Sequence, residues 1–342
     1  MTIKTTIPIS TINSDTSLNR KPVTVITTCY GRNRHLYNLL ASLTHGSIQP
    51  DEVIIVNDDA DPQCLAKFPL NIVQIPTTIN ASTDNMSDVP TKTRFDIGHN
   101  RNLGAARATH DLLIFLDVDC IVAPTFIEQL SAKLQAQPNG LLMGQPRYLT
   151  RPLSEEESSK LQCGTLSMNC LNRLSVYNPY RDNFDDNESI PLALNQTATK
   201  KTAMKKTDDY GAFWSLCFAI TRQQFEQLGG FDTQYTGYGA EDTDLAFTAR
   251  QLNIDFYLTA DVVYHQQHSV YRPPLNHLDS IVINANRFYD KWQCWPMDGW
   301  LLSFADMGLI NWQANQSTPI TLIRKPSHAE IESAHCPHAA YV

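Results

Sequence analysis

The chain has 342 residues, 42% of them hydrophobic and 18% charged, and a formal net charge of −8. That length can bury a sizeable core as one large domain or two smaller ones, and the acidic balance without a Lys/Arg stripe excludes a general nucleic-acid binder. Eight cysteines stand without a C-x-x-C pair, which argues against a zinc ribbon or redox dithiol and for reduced, buried thiols in a cytoplasmic protein.

Residues 1–20 are polar and lack the apolar core of a signal peptide, so they are expected to form a flexible leader. No later stretch is long enough to span a bilayer, and peripheral contact with the inner membrane face stays open. The run VTVITT at 23–28 predicts a strand that ends in Cys29-Tyr30-Gly31-Arg32, and Leu36, Leu39, Leu40 and Leu43 then recur at helical spacing. EVIIV at 52–56 is a second strand ending in Asn57-Asp58-Asp59, and 72–75 is a third. After a breaker-rich loop at 80–96, HNRNLGAARAT at 99–109 reads as a helix leading into the strand at 111–116. Strands alternating with helices predict an α/β fold with a mostly parallel central sheet flanked by helices.

The strand at 111–116 ends abruptly in Asp117 and Asp119. Alternation along the strand is expected to put both carboxylates on one side, where they repel unless a cation lies between them. Paired oxygen ligands suit Mn²⁺ or Mg²⁺, which keep positions open for substrate phosphates. Residues 126–134 predict a further helix and 141–144 a strand. The polar segment 151–207 then predicts long loops around one helix, either a substrate lid or surface decoration. Order returns at AFWSLCFAI (212–220), followed by a short helix closed by Gly229-Gly230.

GYGAEDTDLAFTAR at 237–250 is a glycine-rich turn followed by a helix with Glu241, Asp242 and Asp244 near its start, where acids favour the helix dipole. DVVYHQQH at 261–268 brings His265 and His268 to the end of an apolar strand, placed to give an imidazole to a metal already held by carboxylates. The helix at 279–292 turns Ile281, Val282, Ala285, Phe288, Tyr289 and Trp292 to one face, expected to be core. Residues 313–342 are expected to be a frayed C-terminal tail, with its loose His and Cys residues holding no metal.

Taken together, 22–300 resembles the GT-A fold, nucleotide-sugar-dependent glycosyltransferases, specifically the large inverting family of bacterial glycan transferases. Its C-terminal half is similar to the β-1,4-galactosyltransferases. VTVITTCYGR (23–32) resembles the first strand and nucleotide loop, IIVNDD (54–59) the strand whose last aspartate meets the base, and Arg101-Asn102-Leu103-Gly104 the R-N-x-G helix beside the diphosphate. Asp117-Val118-Asp119 matches the metal-binding D-x-D, and LGGFDTQYTGYGAEDTDLAFTAR (228–250) the galactosyltransferase run. Asn57 stands where many relatives carry an acid, which leaves Asp58 and Asp59 as alternatives.

The resemblance implies one GT-A domain over 21–312, a Rossmann-like nucleotide-binding half (21–150), the variable region 151–207 and a smaller acceptor-side part (208–312). It implies that Thr28, Tyr30, Arg32, Asp58, Asp59, Arg101, Asn102, Asp117 and Val118 bind a nucleotide-sugar, expected to be a UDP-sugar. Asp119, with Asp117 and His265 or His268, would hold Mn²⁺ or Mg²⁺. Asp242 would be the general base, with Glu241, Trp214 and Tyr238 on a glycan or glycolipid acceptor, giving inversion. Two other classes fit part of the pattern. A nucleotidyltransferase would carry a stronger glycine- and basic-rich loop than TTCYGRNR, and a silent nucleotide-sugar-binding protein has no need of Asp117, Asp119 and Asp242 together. P-loop, dinucleotide and nucleophile-elbow motifs are absent.

Overall fold

The computed structural model describes residues 20–57, 59–76, 96–179 and 203–340. The first half runs β1 (Val23–Thr28), α1 (Asn33–Thr44), β2 (Glu52–Val56), α2 (Pro62–Leu65), β3 (Ile72–Ile75), α3 (Ile97–Arg107), β4 (Leu112–Leu116), β5 (Cys120–Val122), α4 (Phe126–Ala136) and β6 (Gly140–Leu149). It continues with α5 (Glu155–Gln162), α6 (Met168–Arg173), β7 (Ser175–Tyr177), β8 (Met204–Thr207), β9 (Cys217–Thr221), α7 (Arg222–Leu228), α8 (Glu241–Gln251) and β10 (Asp255–His265). The last part holds β11 (Val270–Tyr271), α9 (Leu278–Trp292), α10 (Asp298–Asp306), β12 (Ile310–Asn311), β13 (Thr321–Leu322), α11 (His328–Ala334) and β14 (His335–Cys336).

Among the described residues one sheet of ten strands follows the order β3-β2-β1-β4-β9-β6-β10-β5, with β7 beside β6 and β8 beside β10. β3, β2, β1 and β4 are parallel, β9 runs antiparallel between β4 and β6, and β6 and β10 return to the first direction. β1 and β4 are buried along their whole length, as their unbroken apolar or β-branched runs require. Their side chains alternate between two layers. Leu112, Ile114 and Leu116 pack with Leu36, Leu39, Leu40 and Leu43 of α1. Leu113 and Phe115 face Phe218, Phe225, Phe231 and Leu245. Phe115 stacks on Phe218 at 4.5 Å between ring centroids, and truncating such a side chain costs about 3–5 kcal/mol. Gly104 of α3 is needed for this packing, since a Cβ there would come within 2.4 Å of Ile26 Cγ2.

Three expectations are corrected. Asp117 and Asp119 do not continue β4: the strand ends at Leu116, and Asp117–Cys120 is a turn closed by the Cys120 N–H donating to the Asp117 carbonyl at 3.0 Å. Alternation therefore does not govern the two carboxylates. The described part of 151–207 contains two helices and two strands rather than loops around one helix. Ser154 and Glu157 form a reciprocal capping box on α5, and Ser167 caps α6. The segment after Trp312 is not frayed up to residue 340. Trp312, Ile320 and Ala334 join the core of α9 and α10, Ser327 and Glu330 form a capping box on α11, and β14 pairs with β11. All eight cysteines are free, but only Cys29, Cys120 and Cys217 are buried, so the expectation of buried thiols holds for three.

Candidate active site

The ends of β4 and β10 meet at one corner. His265, the last residue of β10, pairs in register with Cys120, which sets its ring beside Asp119. The Gln266 N–H donates to the Asp119 carbonyl at 2.7 Å and locks the two turns together. Gln266 in turn joins α1, accepting from Asn38 at 2.7 Å and donating to the His35 carbonyl at 3.1 Å. The result is a cluster of one carboxylate and two imidazoles. His265 Nε2 lies 3.4 Å from Asp119 Oδ1, His268 Nε2 lies 3.4 Å from Asp119 Oδ2, and the three ligand atoms fall within 4.8 Å of one another.

These residues fit a divalent cation. The Ser269 carbonyl, 2.9 Å from His268 Nδ1, can only accept, so Nδ1 carries a hydrogen and Nε2 is the ring atom that faces the carboxylate and would serve as ligand. Asp119 Oδ1 is also buried and accepts no hydrogen bond, and a set of one carboxylate and two imidazoles can hold a first-row divalent ion, Mn²⁺ included. Burial pushes the Asp119 pKa up, but His265, His268 and Arg32 outweigh it and hold the carboxyl well below its ordinary range. Asp117 is not among the three. Arg101 Nη2 donates to Asp117 Oδ1 at 2.6 Å.

Arg101 carries the site toward its second corner. Its side chain is buried, with the guanidinium 5.1 Å from the Phe231 ring centre, and its Nη1 has no hydrogen-bond partner. An unpaired N–H group on a buried guanidinium is costly unless a ligand completes it. Asn102 is engaged differently: both ends of its amide bond the Phe231 backbone, at 2.8 and 2.9 Å, tying α3 to the Leu228–Phe231 turn.

The acids at the start of α8 form the other corner. Gly237, Gly239 and Ala240 all have positive φ, and the left-handed Ala240 (φ 72) begins the helix without a side-chain cap. None of the three acids is therefore the N-cap. Asp242 Oδ1 accepts from the N–H of Thr243 at 2.7 Å. Burial pushes the Glu241 pKa up to about 7, with Asp242 and Asp117 adding to the rise and Arg101 opposing it. This influence of Arg101 and Asp117 on Glu241 places the two corners within electrostatic reach. Asp244, in the same first turn, is buried and accepts from Trp292 Nε1 at 2.7 Å, Lys291 Nζ at 2.9 Å and the Tyr235 hydroxyl at 3.0 Å. It anchors the acid-bearing turn to α9.

The remaining expected residues lie as follows. Thr28 is buried at the end of β1, and Tyr30 is 56% exposed. Asp59 accepts from the Gly31 N–H at 3.0 Å and from Asn57 Nδ2 at 2.7 Å, which ties the loop after β1 to the loop after β2. Asp58 lies outside the described residues. Val118 is buried in the turn between the aspartates. Trp214 packs between the two main cores, its backbone N–H donating to Met143 Sδ at 3.3 Å. Tyr238 stacks on His277 at 4.7 Å and on Trp300 at 5.6 Å.

Two features escaped the sequence reading. Arg32 bonds Asp119, 87 residues away, at 2.7 Å, and His35, whose pKa is lowered to about 4 chiefly by burial, lies beside His268 with ring centres 6.5 Å apart. Nothing local in either stretch marks those contacts. Asp244 was visible as an acid near a helix start, but two of its partners lie on α9 and the third is Tyr235.

Comparison with known proteins now decides the family. The model described as glycosyl transferase family 2 matches residues 24–206, more than half of the chain. This chain belongs to glycosyl transferase family 2. The family assignment makes it a glycosyltransferase with the GT-A fold, the central sheet described above. A second model, the N-terminal domain of galactosyltransferase, matches residues 196–269, which include the acid corner and both histidines. An N-acetylglucosaminyl-diphospho-decaprenol L-rhamnosyltransferase of Mycobacterium tuberculosis, found in two strains, is 24% identical over 296 residues, or 81% of this chain and 89% of that protein. Among solved structures, GalNAc-T7 with UDP, GalNAc and Mn²⁺ is 14% identical with a TM-score of 0.46, covering 72% of this chain and 43% of its own. TarS of S. aureus, residues 1–349, is 12% identical with a TM-score of 0.44, covering 78% and 65%. The chain thus spans less than two thirds of those solved chains. No helix among the described residues is long and apolar enough to cross a membrane.

Proposed function

We propose that this glycosyltransferase is metal-dependent and inverting, and that it moves a sugar from a nucleoside diphosphate, UDP in the first instance, to a hydroxyl of a glycan or glycolipid. The observation that supports this reading above all is the cluster of Asp119, His265 and His268, with the Arg101–Asp117 ion pair near enough to act on the charge of Glu241. Asp119, His265 and His268 would hold Mn²⁺ or Mg²⁺, which when bound supplies Lewis-acid neutralisation of the diphosphate leaving group. Arg101 adds a fixed positive charge, and its unpaired Nη1 has a donor to offer a phosphate oxygen.

On the opposite side of the reacting carbon, Asp242 takes the proton of the acceptor hydroxyl as its oxygen bonds the anomeric carbon. The bond from that carbon to the diphosphate breaks in the same displacement, and its electron pair leaves with the nucleotide. One base and no covalent intermediate give inversion. Glu241 would bind acceptor hydroxyls, with Trp214 and Tyr238 as the aromatic residues on the acceptor side. The M. tuberculosis relative, named for a diphospho-decaprenol acceptor and for L-rhamnose, supports a lipid-linked acceptor reached by peripheral membrane contact. It also adds activated rhamnose to the donors worth testing.

The test is a panel of nucleotide sugars assayed for transfer, with melting curves in UDP plus Mn²⁺ and in UDP plus EDTA. Ligand that binds only the native site raises the melting temperature, so UDP is expected to stabilise more with Mn²⁺. Equal stabilisation in EDTA removes the metal from the mechanism.

A further inference from the structure

We propose that Arg32 is an exchangeable counter-charge of the metal corner: it holds Asp119 when no metal is bound, and a divalent cation displaces it toward the diphosphate. The inference rests on the transferase reading above and concerns what the site does before it is loaded.

Arg32 Nη1 donates to Asp119 Oδ2 at 2.7 Å, the oxygen that His268 Nε2 approaches at 3.4 Å, and Arg32 Nη2 lies 3.5 Å from His268 Nδ1. A cation ligated by Asp119, His265 and His268 would lie among those atoms. Like charges at that separation repel, and the term is doubled for a divalent ion. Arg32 and the metal therefore exclude each other at Asp119.

Exposure decides which group moves. The Arg32 side chain is 39% exposed and that of Asp119 is 7% exposed. Arg32 follows Gly31 (φ 65) in the loop ahead of α1, whose start has no side-chain cap. Arg101 makes the contrast: its side chain is 4% exposed and pinned on Asp117. One arginine is built in, and the other sits at the rim with solvent to swing through. Once off Asp119, Arg32 is a free guanidinium next to the site of a diphosphate, which its fork is suited to bind.

This reverses the usual expectation for removing a residue from a metal site. In a Mn²⁺ titration without nucleotide, with free Mn²⁺ followed by electron paramagnetic resonance, Arg32→Gln is expected to bind the ion roughly tenfold more tightly than the natural protein, the scale of one charge-assisted contact. Added UDP should raise Mn²⁺ affinity less in Arg32→Gln than in the natural protein, because only the latter gains an arginine contact to the diphosphate. Arg32→Lys keeps the charge and should stay at the weaker, natural affinity; melting temperatures of both variants confirm folding. Equal or weaker Mn²⁺ binding by folded Arg32→Gln overturns the exchange and leaves the transferase reading standing. If neither protein binds Mn²⁺ with or without UDP, the metal reading and this inference fall together.

Discussion

The two corners of the site treat negative charge in opposite ways. At the β4–β10 corner, Asp119 faces two imidazoles and a guanidinium, and its carboxyl is held far below its ordinary pKa. At the α8 corner, Glu241 lies beside Asp242 with a single arginine in reach, and its pKa rises to about 7. A permanently ionised carboxylate suits a ligand, whereas acids crowded together and short of counter-charge suit proton transfer and hydroxyl binding. On the proposed function, that difference would divide binding from chemistry between the two corners.

Substitutions can break that division. Asp119→Ala should have the largest effect, with transfer falling by at least roughly 10⁴-fold as ion binding and leaving-group stabilisation are lost together. It should also abolish the Mn²⁺-dependent part of stabilisation by UDP in melting curves. Asp242→Asn preserves shape, so UDP and Mn²⁺ affinity should change little while turnover drops by roughly 10²–10⁴-fold. Full turnover by that variant would transfer the base to Glu241 or end the inverting assignment.

Asp244→Ala tests whether the acid corner depends on its anchor. Leaving Lys291, Trp292 and Tyr235 without their acceptor should cost about 1–3 kcal/mol, with the Lys291 share reduced by its exposure. Turnover should fall by roughly tenfold, as for a displaced catalytic group, and Mn²⁺ binding should be spared. Unchanged kcat in a destabilised variant would make Asp244 a purely structural residue.

The smallest effect is the pH dependence of stability at Glu241. Its folded pKa lies above the unfolded value of 4.5, so the folded state binds the extra proton between about pH 4.5 and 7 and loses stability as pH rises through that window. Glu241→Gln removes this loss. Relative to the natural protein the variant should gain about 1–3 kcal/mol between pH 4.5 and 8, since raising a carboxyl pKa by one costs its ionised form about 1.4 kcal/mol. Urea midpoints across that range give the measurement. Parallel pH profiles would mean that Glu241 is not held in the protonated form.

Much of this site was legible because its parts are local. β1, β2 and β3 begin and end where their apolar runs do, and Asp119, His265, His268, Glu241 and Asp242 each sit at the end of a readable strand or the start of a readable helix. What was not legible depends on pairing. The turn at Asp117–Cys120 sends Asp119 to the histidines, as the resemblance implies, but Asp117 to Arg101, and only the fold shows that second pairing. The C-terminal segment was misread for a different reason. Its apolar anchors Trp312, Ile320 and Ala334 are widely spaced in polar sequence, and only their common packing on α9 and α10 makes them a core. The Ser327/Glu330 capping box was present in the sequence as a helix-start signal.

The place of β9 in the sheet bears on how the chain can be made. β4 gains its second neighbour only when Cys217–Thr221 has been synthesised, about a hundred residues later, and β6 also leans on that strand. A nascent chain emerging from the ribosome up to residue 216 therefore carries LLIFL as an open, apolar sheet edge, the kind of surface that chaperones cover and that aggregates when they do not. The insertion of β9 closes that edge, and with it the Asp117 N–H finds its acceptor in the Leu216 carbonyl. Protection of the growing chain and the fixing of the Asp117 turn thus arrive together in translation, ahead of the acids of α8 and the histidines of β10.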